Sequence, residues 1–181
     1  MPDHVWIIAG GLLQVPAVEA AHSLGLRAIV TDRNPEAPAM RLADMAYAVD
    51  IYDVGSHMLL ADDLLARGVK IAGVFTEGAD VEVTVAAVAA HLKLPGISPT
   101  AAWNCKDKVN MRRAFRGRIP NVNFMHLGGV GGLETAKQFG EHLGYPIMVK
   151  ASDNCASRGT RRVDRPEDLP AAIADAIANS T

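Results

Sequence analysis

Cysteine is scarce in this chain. The two present in 181 residues, Cys105 and Cys155, make neither a disulfide framework nor a cysteine metal cluster. A reducing, cytoplasmic setting is the default for such a sequence. No apolar run approaches the roughly 18 residues needed to span a bilayer, so no membrane partner is expected. Met1-Pro2-Asp3-His4 lacks the basic flank of a secretion signal. The six histidines, at 4, 22, 57, 91, 126 and 142, show no metal-ligand spacing. The pattern Gly-x-x-x-x-Gly-Lys-Ser/Thr occurs nowhere, which excludes a P-loop. Aromatic residues are only 5% of the chain, and exposed aromatics do not interleave with its cations. That argues against a nucleic-acid groove.

What is present suits a packed α/β protein. The chain is 49% hydrophobic and 21% charged, ordinary values for a globular core. Val5–Ala9, Ala28–Thr31, Ala46–Val49 and Ile71–Phe75 are short, nearly uncharged runs that suit parallel strands buried on both faces. Helical patterns lie between them, with Leu24-Gly25 and Arg67-Gly68 as C-terminal stops. Val81, Val85, Val88 and Leu92 place a stripe on a helix over Asp80–Leu92. The alternation predicts a doubly wound parallel sheet, Rossmann-like in kind, with right-handed crossovers.

Leu94-Pro95-Gly96-Ile97-Ser98-Pro99 breaks this pattern, with Ser98 a helix cap and Pro99 in the first turn. We expect a Rossmann-like domain over 1–97, a helical linker over 98–121 and an incomplete α+β lobe over 122–181. The linker carries a helix from Asp107 to Arg116. The lobe should hold an extended stretch at Val122–Met125, a flexible glycine turn at 128–132, and a helix from Glu134 to His142. Strands follow at Pro146–Lys150 and Thr160–Val163, before a final helix. Its apolar face, Leu169, Ala172, Ile173, Ala176 and Ile177, predicts self-association of an isolated fragment, hence a possible homo-oligomer. Three strands and two amphipathic helices make a one-sided lobe, and Ala178-Asn179-Ser180-Thr181, straight off a helix, reads as a cut end.

Charge is uneven. Residues 1–103 carry 6 basic and 12 acidic side chains, and residues 104–181 carry 12 basic and 8 acidic. Within the basic part, Lys150 ends a strand, and Ser152-Asp153-Asn154-Cys155-Ala156-Ser157-Arg158-Gly159-Thr160 follows at once. A cation at fixed height beside a loop of N–H donors suits a polyphosphate. No acidic cluster follows Lys150, so no metal ligand is assigned. The N-terminal Gly10-Gly11, with Asp32 ending the next strand, also invites a dinucleotide reading. That fingerprint fails because Leu12 and Val15 stand where glycine is required.

Several stretches together resemble a known superfamily. Gly144-Tyr145-Pro146-Ile147-Met148-Val149-Lys150 followed by Ser157-Arg158-Gly159 is similar to the ATP-binding strand and mobile loop of ATP-grasp ligases. Asp107-Lys108-Val109-Asn110-Met111-Arg112 resembles that family's Asp-Lys helix. Gly10-Gly11, Gln14-Val15-Pro16, Asp32-Arg33-Asn34-Pro35-Glu36, Leu42-Ala43-Asp44, Thr76-Glu77-Gly78-Ala79-Asp80 and Leu94-Pro95-Gly96 resemble the preceding Rossmann-like domain, in the same order. The closest branch is that of the carbamoyl-phosphate-synthase-like and purine-biosynthetic carboxylate–amine ligases.

The resemblance implies ATP and Mg2+ as cofactors and a small-molecule carboxylate as substrate. It also implies an acyl phosphate that an amine or other nucleophile displaces. Lys108 and Lys150 would hold phosphates, with Ser152, Asp153, Ser157, Arg158 and Gly159 in the covering loop. Gly11, Gln14, Asp32 and Glu77 would face the acceptor substrate. The magnesium ligands are expected outside this chain, and the isolated polypeptide is expected to be inactive. Relatives often carry glycine where this loop has Asn154 and Ala156, so its closure is expected to differ. The alternative is a non-catalytic Rossmann-like module that binds a phosphate ligand or a partner protein.

Overall fold

β1 (His4–Ile8) lies between β2 (Arg27–Asp32) and β4 (Ile71–Phe75), and β3 (Met45–Ala48) extends the sheet beyond β2. All pairings are parallel, and the order is β3-β2-β1-β4. This computed structural model of the chain describes residues 3–128 and 132–180. The chain divides into two units, Met1–Trp103 and Asn104–Thr181.

Alternation along each strand sends side chains to opposite faces. Trp6, Ile8, Ile29 and Val74 pack with Ala61 and Leu64 of α2 (Val54–Ala66) and Val88 and Ala89 of α3 (Glu82–His91). Ile7, Ala28 and Val30 point the other way, onto Ala17, Val18 and Ala21 of α1 (Val15–Ser23). Helices on both faces make the sheet doubly wound, which explains why the strand sequences are continuous apolar runs. Trp6, Ile7, Ile8, Ile29 and Val30 are completely buried. Each such side chain contributes about 1.5–3 kcal/mol, so the two central strands anchor this unit.

The four strands expected in the first unit all form, with ends shifted by at most a residue. Gly25 and Gly68 close α1 and α2 with φ of +73° and +76°. α3 begins at Glu82 rather than Asp80, because Gly78 (φ +63°) and a non-helical Val81 (φ −122°, ψ 25°) keep the chain out of the helix until then. Its buried side is also wider than one stripe. Thr84, Ala86 and Ala87 are buried alongside Val81 and Val88. The Thr84 hydroxyl meets its needs by donating to the Ile51 carbonyl at 2.8 Å.

Ser98 caps α4 (Pro99–Lys106) by accepting the Ala101 N–H at 3.1 Å. The second unit contains α5 (Lys108–Phe115), α6 (Gly132–Leu143), the antiparallel hairpin β5 (Ile147–Lys150) and β6 (Thr160–Val163), and α7 (Leu169–Ala178). Ala136, Val163, Leu169 and Ala172 form its core, and Ile147, Val149, Tyr145 and Ile173 pack against them. Two expectations need correction. Val122–Met125 is extended but forms no strand; Met125 instead packs onto this core together with Leu127. The apolar face of α7 is mostly internal, since Leu169, Ala172 and Ala176 are buried and only Ile177 is well exposed, at 70%. It therefore gives no ground for self-association. Of the expected glycine turn at 128–132, residues 129–131 lie outside the described residues.

One polar network sits inside the first unit. His57 is fully buried and stacks on Trp6 with ring centroids 5.8 Å apart. Its Nδ1 lies 2.7 Å from the Asp53 carbonyl, so that nitrogen carries the hydrogen. Nε2 then accepts from the Thr31 hydroxyl at 3.0 Å, and Thr31 in turn accepts the Trp6 indole N–H at 3.2 Å. Burial pushes the ring below its ordinary value of 6.5, although Asp53 and Asp50 oppose the shift. The neutral ring is favoured in the fold, and the unfolded chain protonates first as pH falls. Stability from this group is complete above about pH 6.5 and is lost progressively below it. Thermal unfolding at pH 7.5 and pH 5.0 should show a larger drop in wild type than in His57→Gln. Equal drops would refute the assignment.

Candidate functional site

The β5–β6 hairpin has two unlike faces. Ile147 and Val149 turn inward to the core. Met148 and Lys150 point the other way, and their cross-strand partners there are Arg162 and Thr160. The open face thus carries an ammonium at the strand's end and an apolar side chain, 53% exposed, two residues before it. Met148 was not among the sequence candidates, although period-two alternation from Lys150 would have placed it on the same face.

The segment between the strands folds back on itself. The Ala151 N–H donates to the Gly159 carbonyl at 2.9 Å, the Arg158 N–H to Cys155 at 3.1 Å, and the Thr160 N–H to Ser157 at 3.1 Å. Ala156 and Ser157 adopt φ of +52° and +62°, the left-handed region. That conformation costs a non-glycine residue roughly 1–2 kcal/mol. The missing glycine at position 156 is therefore a backbone cost and not merely a change of side chain. Gly159 (φ +62°) is buried, and a Cβ there would lie 2.9 Å from Asn179 Cβ and 3.2 Å from Ala176 Cα.

Lys108, 44 positions before Ser152, meets this loop through two groups. Its backbone N–H, one of the unpaired donors in the first turn of α5, donates to the Ser152 carbonyl at 2.8 Å. Its ammonium donates to the Asn154 carbonyl and reaches Ser152 O at 3.5 Å. Asp107 caps the same helix by accepting the Asn110 N–H at 2.7 Å. Burial and the nearby Lys150 charge hold Lys108 below the usual lysine range, against the pull of Asp153, Cys155 and Asp107.

On its other side the loop is tied to the end of α7. Asn154 Nδ2 donates to the Asn179 carbonyl, and the Ser180 hydroxyl donates to Asp153 Oδ1 at 2.8 Å. Arg158 donates to Cys155 Sγ at 3.3 Å. Sequence reading missed Asn179 and Ser180, because nothing in a helix's last turn marks it as a partner for a loop 25 residues earlier. Among the described residues, no group of three His, Cys, Asp or Glu side chains could hold a metal ion.

The remaining sequence candidates gather in the first unit, at the carboxyl ends of the strands. The strand order reverses between β1 and β4, and open α/β sheets offer their ligand crevice at such a point. Gly11 precedes the short 3-10 turn Leu12–Gln14, directly after β1, and Glu77 follows β4 with an exposed side chain. Gln14 and Asp32 serve the backbone. The Gln14 amide, 3% exposed, donates to the Glu77 carbonyl. Asp32 accepts the Gly10 N–H with one oxygen and the Asn34 N–H with the other, each at 2.8 Å. A Cβ on Gly10 would stand 2.8 Å from Met40 Cγ, so close approach demands glycine there. Asp32 and Gln14 therefore hold the backbone at the strand ends, where Gly11 and Glu77 also lie.

The chain is similar in sequence and fold to several known proteins. Residues 111–181 match the family described as carbamoyl-phosphate synthase L chain, ATP binding domain. A formate-dependent phosphoribosylglycinamide formyltransferase of Prochlorococcus marinus subsp. pastoris is 26% identical over 187 residues, covering 99% of this chain and 45% of that protein. A D-alanine–D-alanine ligase of Thermoanaerobacter sp. is 38% identical over 72 residues, 38% of this chain and 20% of that one. The structure of phosphoribosylglycinamide synthetase from Anaerococcus prevotii superposes with a TM-score of 0.66 at 26% identity, over 99% of this chain and 42% of that one. Carboxyaminoimidazole ribonucleotide synthase from Aspergillus clavatus, complexed with ATP, gives 0.78 at 23% identity, over 99% and 46%.

In fold and in sequence the chain is similar to ATP-grasp ligases. Over residues 111–181 the similarity is to the carbamoyl-phosphate synthase ATP-binding domain, the branch that the sequence resembled. It spans under half the length of the first curated relatives it matches. No helix among the described residues is long and apolar enough to cross a membrane.

The loop geometry sets opposite expectations for two small substitutions. Ala156→Gly should raise the urea-unfolding stability of the second unit by up to about 1 kcal/mol, by removing left-handed strain. Gly159→Ala should lower it by more than about 1 kcal/mol, through strain and the collision with Asn179. Equal effects of both changes would contradict the assigned backbone.

Proposed function

We propose that this chain forms part of an ATP-dependent ligase that joins a carboxylate to an amine or other nucleophile through an acyl phosphate. The observation that carries this reading is the pairing of Lys108 and Lys150 beside a loop rich in backbone donors, in a chain similar to ATP-grasp ligases along almost its whole length. The donor set fits a polyphosphate. Two ammonium groups approach from different elements, and charge-assisted bonds to phosphate oxygens are the strong ones. Ser152, Asp153, Ser157, Arg158 and Gly159 form the segment that would cover the phosphates. Met148, on the same open face as Lys150, offers apolar surface for the uncharged part of the nucleotide.

A carboxylate is a poor acyl donor, and ATP supplies the phosphoryl group that converts it into a good one. The contribution of this chain is to neutralise and orient phosphate and to exclude water while the loop is down. Glu77 and Gly11 border the crevice for the acceptor, which Asp32 and Gln14 hold in shape. Among the described residues no group of three His, Cys, Asp or Glu side chains is placed to hold Mg2+. We expect the polypeptide as it stands not to turn over. ATP-dependent phosphate release by residues 1–181, abolished by Lys150→Ala, would overturn that expectation.

Isothermal titration with ATP tests the reading directly. Lys150→Ala and Lys108→Ala should each weaken binding about tenfold to a hundredfold, the worth of one charge-assisted hydrogen bond. Binding of NADH in place of ATP, or ATP affinity unchanged in both variants, would refute it.

A further inference from the structure

The loop that would cover the phosphates is already held from two sides. Lys108 grips it through the carbonyls of Ser152 and Asn154. The last turn of α7 grips it through Asn154 Nδ2 on the Asn179 carbonyl and Ser180 on Asp153. Asn154 is the joint between the two. Its carbonyl faces Lys108, its side-chain amide faces α7, and its Oδ1 accepts the Cys155 N–H at 2.9 Å. Directly after this joint come Ala156 and Ser157 in left-handed conformation, a cost that tertiary contacts must offset for the loop to rest here.

These contacts compete with the ligand for the same group. An ammonium has three donors and no acceptor, and carbonyl oxygens now occupy the direction of the loop. Phosphate oxygens bear full charge and outbid neutral carbonyls for those donors. A ligand that draws the Lys108 ammonium away removes one of the ties on the Asn154 segment, with two strained residues just behind it.

We propose that Lys108, Asn154 and the end of α7 form a latch that holds residues 152–159 in a resting position, and that engagement of Lys108 by a polyphosphate releases it. Lys108 is then a positioning residue for the loop as well as a contact for the anion, and Asn154 is the element that makes the loop responsive. The proposal rests on the reading that phosphates meet Lys108. It goes beyond it by assigning that lysine work in the absence of ligand.

Hydrogen exchange of the 181-residue chain, without ligand, isolates the latch. Lys108→Met should speed exchange of the loop amides at 152–159 about fivefold or more, while Lys150→Met leaves them unchanged. Exchange in β1 and β2 serves as the folding control. A lysine that served only the anion would leave the loop unaffected or slow it, since its repulsion with Lys150 is removed. Titration with inorganic tripolyphosphate then tests release. Asn154→Ala should bind it about threefold to tenfold more tightly than wild type, because one hydrogen bond no longer has to break.

Unchanged loop exchange in Lys108→Met, with tripolyphosphate bound by wild type, overturns the latch and leaves the phosphate reading standing. Faster exchange in that variant with no tripolyphosphate binding by wild type overturns the release step together with the phosphate reading. Faster exchange with Asn154→Ala binding no tighter than wild type overturns the competition between loop and anion.

Discussion

β1 is hydrogen-bonded on both edges and covered on both faces, and this double confinement organises the whole first unit. A strand so placed can contain nothing that needs water. Its polar requirements are met by its ladders, and the indole of Trp6 finds Thr31 and the buried His57. Chemistry is thereby expelled to the strand's end, where Gly10 passes within van der Waals contact of Met40 and Asp32 clamps its N–H. The close backbone packing at the strand ends follows from the burial of the strand behind it. Asp32 and Gln14 occupy positions that invite ligand roles, yet both are engaged in holding backbone where a ligand could reach it.

The second unit uses a similar logic with a thinner margin. Its hairpin is packed on one face only, so Lys150 and Met148 stand on a surface no helix of the unit covers. The loop between the strands lacks the glycines that would make its conformation cheap at Ala156 and Ser157. What steadies it is a set of hydrogen bonds to α5 and α7, each worth about 1 kcal/mol. A segment balanced between comparable strain and comparable ties can change position for a modest ligand contribution. In that respect the departures from glycine tune the loop and do not simply stiffen it.

Much of this was legible in one dimension. Uncharged runs of four to five residues announced buried parallel strands, because only double-sided burial tolerates no polar alternation. Gly25 and Gly68 marked helix ends because left-handed φ suits glycine. The order of Lys108, Lys150 and the following loop pointed to a polyphosphate. Other features could not be read. Val122–Met125 has strand-like alternation but no strand partner, and pairing is a property of neighbours in space. The apolar face of α7 looked available for a partner because sequence shows which residues are apolar but not that the hairpin of the same unit covers them. Met148 lay two residues from Lys150 and was passed over, although the strand period alone puts them on one face.

Local chemistry along the chain determined the strands, the helix caps at Asp107 and Ser98, the glycine stops and the two cations. Each depends on a residue and its near neighbours, within reach of backbone sterics and short-range hydrogen bonds. Tertiary structure alone decided what those cations face. Lys108 and Asn154 are 46 positions apart, and Asn154 and Asn179 are 25 apart. A hydrogen bond needs its atoms within about 3 Å, a condition that only packing across the unit can impose.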